Sequence, residues 1–173
     1  MKVEIVAEIP RLKDGFLLGE SNVSEQGADI RALADFRAAL NGTDSFFYLQ
    51  DFVVAHPGRS GESYGACSGE FVLVFRRLDL NGNRTLYSLL SQTLQELLKA
   101  TSSSDALFAK LCVPAPATED TNVPEISLVL QLEAIGSTPE QAEIRWGYGL
   151  AHIHKALIAA ADRLRLHLAK TGV

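Results

Sequence analysis

The residues with the most chemical potential gather in His56-Pro57-Gly58-Arg59-Ser60-Gly61-Glu62-Ser63-Tyr64-Gly65-Ala66-Cys67-Ser68-Gly69. Its four glycines permit close backbone approach, so the segment could turn N–H groups toward an anion, with Arg59 adding positive charge. His56 is a candidate base, and Ser60, Ser63 and Cys67 are candidate nucleophiles of the kind covalent catalysis uses. These residue types are common, and the chain here has no G-x-x-x-x-G-K-[ST] and no G-x-G-x-x-G. Ser63 does stand in a G-x-S-x-G, Gly61-Glu62-Ser63-Tyr64-Gly65, but in a segment between two strands and not at the strand-to-helix turn where that motif presents a nucleophile. The segment therefore reads first as a connection between strands and second as a ligand-contacting loop that uses His56 and Arg59.

A second group lies near the C-terminus. Tyr148, His152 and Lys155 stand at i, i+4 and i+7, so on a helix a phenol, an imidazole and an amine share one face and could hold an anion or pass a proton. The bland alternative is a solvated polar stripe. His152 and His154 are only two positions apart, which turns their rings about 200° from each other on a helix, so they do not converge on a metal. No metal site and no cofactor are expected.

The strongest pattern is apolar. Trp146, Leu150, Ile153, Leu157, Ala160, Leu164 and Leu168 follow steps of 4, 3, 4, 3, 4 and 4, the spacing of a helix packed along its length. Thr138-Pro139-Glu140-Gln141 opens that helix with an N-cap hydroxyl, a first-turn proline and a Gln able to reach back toward the cap. A helix over 139–170 is about 48 Å long at 1.5 Å per residue, against a span of roughly 35 Å for a domain this size. Either it bends at Gly147 or Gly149, or it offers Leu157, Leu164 and Leu168 to another subunit. The expectation is a homo-oligomer with those three leucines in its interface.

The elements that must position these residues follow from periodicity. Val3, Ile5, Ala7 and Ile9 alternate as a strand, ended by Pro10, and Phe16–Leu18 could form a short second one. Residues 28–40 show helical spacing and stop at Asn41-Gly42. Residues 46–55 and 71–78 are β-rich, and Asn81-Gly82-Asn83 turns the chain into a helix carrying Leu86, Leu90, Leu94 and Leu98. A short helix is expected over 106–111, a proline-rich loop over 114–124, and a strand through Ile126, Leu128, Leu130 and Leu132. Strands adjacent in sequence without regular crossover helices favour an α+β domain over 1–173. The expected sheet is mixed or antiparallel with about four to five strands, helices on one face and a long C-terminal helix.

Composition bounds the function. At 173 residues the chain can bury a core without metal or disulfide, and 47% hydrophobic with 21% charged residues is an ordinary globular balance. A net charge of −5 with interspersed signs counts against nucleic acid as partner. Cys67 and Cys112 lie far apart without a C-x-x-C, and the first ten residues build no signal-peptide core, so free thiols and a cytoplasmic location are expected. No stretch is apolar enough to span a membrane. These features point to a non-enzymatic homo-oligomeric interaction or assembly protein, with room for a further protein partner. The alternative is a small-molecule-binding protein or enzyme that uses the glycine-rich loop 56–69.

Overall fold

A computed structural model describes residues 1–6, 31–55, 65–100, 107–112 and 127–172. Its elements are β1 (Lys2–Val6), α1 (Arg31–Asn41), β2 (Phe47–Ala55), β3 (Gly65–Phe75), a 3-10 turn (Leu78–Leu80), α2 (Arg84–Ala100), β4 (Leu107–Cys112), β5 (Leu128–Gly136) and α3 (Pro139–Thr171). The five strands form one sheet in the order β1-β4-β5-β3-β2. β1 pairs with β4 in parallel, and every other neighbouring pair is antiparallel. The class is α+β, as expected.

Period-two burial explains why helices occupy one face. In β3 every second residue from Gly65 to Phe75 is buried, and in β5 Leu128, Leu130, Leu132 and Ala134 are buried beside them. The apolar face of α3 rests on these two central strands, with α1 beside it over β2 and α2 beside it toward β1 and β4. The opposite face is half-buried and mixed: Val72 stands opposite Val129, and Gln131 Nε2 donates to Glu70 Oε2 at 2.7 Å.

Two sequence expectations are corrected. Residues 107–112 are a strand, because Leu107, Ala109 and Leu111 are buried while Phe108 and Lys110 are only half covered. That is strand alternation, hidden by residue types that also suit helices. Second, β3 begins at Gly65 and not near Phe71, so the last third of the glycine-rich segment is strand. The expected strand past Val6, the possible one at Phe16–Leu18 and the loop over 114–124 lie outside the described residues.

The turn into α2 is built by two asparagines. Asn81 Oδ1 accepts from Phe75 N at 2.7 Å and from the Tyr87 hydroxyl at 2.8 Å, and its Nδ2 donates to Phe75 O at 2.9 Å. Asn83 Oδ1 accepts from Leu86 N at 3.1 Å, the usual N-cap bond. Tyr87 is fully buried, so the Asn81 bond satisfies a hydroxyl that would otherwise be costly to enclose.

α3 is continuous from Pro139 to Thr171, through both Gly147 and Gly149. Its Thr138 cap accepts from Gln141 N at 3.2 Å, and Gln141 Oε1 accepts from Ser137 N at 2.7 Å, one residue before the cap. The two glycines serve close packing: a Cβ on Gly149 would lie 3.0 Å from Leu132 Cδ2, and one on Gly147 would lie 3.3 Å from Ala32 Cβ. Most of the helix is supported. β3 has eleven residues, which extend about 37 Å at 3.4 Å each, and α3 starts against Gly65 at one end of that strand and brings Arg165 over Phe46 near the other, so only its last turn and a half runs on past the strand, with Leu168 still buried.

Candidate functional site

α3 has two faces of different character. Its inner face carries Trp146, Leu150, Ile153, Leu157, Leu164 and Leu168, all buried. Trp146 lies on Gly69, where a Cβ would come within 2.6 Å of the indole, and its Nε1 donates to Leu132 O at 3.2 Å. The expectation that Leu157, Leu164 and Leu168 face another subunit is corrected here. None is more than 6% exposed in a single chain, because the sheet and α2 already cover them.

The outer face is where apolar surface remains. Seven large hydrophobic side chains among the described residues are more than a third exposed, and four of them lie on α3: Ile144 (60%), Tyr148 (65%), Ile158 (53%) and Leu166 (64%). With Ala151, Lys155 and Asp162, all exposed, they run along the helix in steps of 4, 3, 4, 3, 4 and 4 within an arc of about 80° at 3.6 residues per turn. Sequence reasoning missed this stripe because the inner one, with the same step pattern, dominated the reading. The missed signal was a helix apolar on two faces.

Among the described residues, the predicted chemical groups do not converge on an enclosed site. Tyr148 and Lys155 project from the outer face, and His152 is half-buried beside them. His154 points the other way, with its ring 6.4 Å from that of Phe36 in an edge-on contact. His56, Arg59, Ser60 and Ser63 lie outside the described residues. A groove of about 310 Å³ between α2 and α3 is lined by Leu89, Gln92, Thr93, Leu164 and His167. At its rim Arg163 Nη1 stands 3.4 Å from Glu96 Oε2, an exposed pair of little energetic weight. Neither Tyr148 nor His152 borders it. Among the described residues no three His, Cys, Asp or Glu side chains group as metal ligands, and no helix is long and apolar enough to cross a membrane.

Cys67 is a free thiol on the helix-facing side of β3, fully buried. Burial, assisted by the Glu143 carboxylate, pushes it from the ordinary 9.0 up to about 12. The thiolate is the nucleophilic form, so Cys67 is inert at neutral pH and its candidacy as a nucleophile is withdrawn. The Cys112 thiol lies outside the described side chains. Stability depends on this proton at alkaline pH. Above pH 9 the unfolded chain loses the Cys67 proton and the folded chain keeps it, so this group's contribution falls as pH rises from about 9 to about 12. Urea unfolding between pH 9 and 11 is expected to show a downward slope in the wild type that is shallower in Cys67→Ala, by up to about 1.4 kcal/mol per pH unit. Equal slopes would contradict the buried, protonated thiol.

Comparison with protein-family models, curated proteins and solved structures finds no match to this chain.

Proposed function

We propose that this chain is a non-enzymatic interaction protein that assembles with a second copy of itself through the outer face of α3. The observation that carries the reading is the exposed line of Ile144, Tyr148, Ile158 and Leu166 on a helix whose other face is already committed to the core. Scattered apolar side chains on a surface need no explanation, but four large ones aligned along one helix face, with Lys155 and Asp162 set between them, suit an interaction site. The position of Tyr148 on that row, with His152 beside it, supports a contact role for them over a catalytic one, since an enzyme site is normally concave and water-excluding. The net charge of −5 favours a protein partner over nucleic acid.

Light scattering on the eluting protein tests this. The wild type is expected at about twice the 18.8 kDa chain mass at micromolar concentration, and Ile158→Glu with Leu166→Glu is expected at the single-chain mass with an unchanged far-UV spectrum. Both positions are exposed, so the substitutions should leave folding within about 0.5 kcal/mol. A wild type that stays at 18.8 kDa at high micromolar concentration would overturn the proposal.

A further inference from the structure

The two charges within the outer row are placed so that one arrangement of two helices satisfies both. We infer that two copies pair through α3 in antiparallel register, about a two-fold axis passing between positions 158 and 159, with Lys155 of each copy against Asp162 of the other. This rests on the self-assembly proposed above and adds its geometry.

Lys155 and Asp162 lie three and a half positions on either side of that axis, so a two-fold rotation brings each onto the other. The same rotation sets Ala151 against Leu166 of the second copy, a small residue opposite a large one, and places Ile158 beside its own symmetry mate. Each of these residues is exposed in the single chain and therefore available. Other arrangements do worse. A parallel pairing in register sets Lys155 against Lys155 and Asp162 against Asp162. Antiparallel pairings centred on either charge set that charge against itself, and like charges across an interface are strongly disfavoured. Antiparallel alignment also opposes the two helix dipoles favourably.

The charges are free to engage. Lys155 has no bonding partner among the described residues. Asp162 accepts from Arg165 Nη1 at 3.0 Å through Oδ1, an exposed i,i+3 pair that leaves Oδ2 open to a second donor. The occupant is identified as a second copy because the row complements itself: its charges balance under the rotation without any outside partner.

Charge reversal at these two exposed positions is the test, read by sedimentation equilibrium with far-UV spectra to confirm folding. Lys155→Glu alone and Asp162→Lys alone should each raise the dimer dissociation constant by roughly tenfold, because symmetry turns two attractive pairs into two repulsive ones. The doubly reversed chain, Lys155→Glu with Asp162→Lys, should return to near the wild-type value, and an equimolar mixture of the two single variants should associate more tightly than either alone. If the wild type associates but the single variants match it, or the double reversal fails to recover, this antiparallel register is overturned while self-assembly stands. A wild type that never associates would sink the register and the proposed function together.

Discussion

Replacing Leu164 with Glu is expected to abolish folding and not merely assembly. Leu164 sits on the inner face of α3 and is almost wholly excluded from water, close to the α2 surface that carries Leu89 and Thr93. The substitution removes the burial of a leucine, worth about 1.5–3 kcal/mol, and places a carboxylate at a buried position, while Arg163 of the same groove stands at its exposed rim paired with Glu96. An unpaired buried charge adds several kcal/mol more. The combined loss, upward of about 5 kcal/mol, is comparable with the whole stability of a typical domain. Circular dichroism and thermal melting should show no cooperative transition, in contrast to Ile158→Glu, which should melt like the wild type. A Leu164→Glu protein that is folded and has only lost self-association would move the interface back to the inner stripe.

That reversal of faces marks where sequence reading stops. The spacing of Trp146 through Leu168 identifies a long helix with one buried side, and Thr138-Pro139 gives its cap; the left-handed Gly172 that closes it is a finding of the structure. Periodicity alone does not say what buries the stripe. The estimate that the helix must outrun its domain assumed a sphere, whereas an eleven-residue β3 makes the sheet long in the direction α3 takes. β4 escaped notice because Ala, Leu and Lys are common in helices, and only pairing between β1 and β5 makes the alternation at 107–111 decisive. β2 is irregular for a local reason. Its register shifts between Leu49 and Asp51, so the side chains packed toward the helices run Phe47, Leu49, Phe52 and Val54 and not by strict twos. For the candidate site, Tyr148 and Lys155 were visible as sharing a face. The outer row became meaningful only once the inner one was known to be covered.

Within the 56–69 segment, Gly65 gains a different meaning from the one chemistry suggested. Gly65 pairs with Gly136 across β3 and β5, and the first turn of α3 lies directly on both. A Cβ on Gly65 would be 2.4 Å from Thr138 O and 2.6 Å from Pro139 Cα, and one on Gly136 would be 2.5 Å from Ala142 N and 2.9 Å from Thr138 O. Neither glycine has a positive φ, so the requirement is space and not backbone conformation. The obstructing atoms are main chain and cannot rotate aside, so Gly136→Ala should cost near or above the top of the usual overpacking range, about 3 kcal/mol, with Gly65→Ala similar. The two effects should not add. Both residues meet Thr138, so once either methyl lifts the helix start, the second finds the space already opened, and the double variant should be less destabilised than the sum of the singles by about 1 kcal/mol. Gly82, where an added methyl would meet nothing within 4 Å, is the control, and Gly82→Ala should lie within about 0.5 kcal/mol of wild type. Urea unfolding of the four variants measures all of this. A Gly136→Ala protein as stable as Gly82→Ala, or singles that sum without discount, would mean that α3 does not seat on this glycine pair.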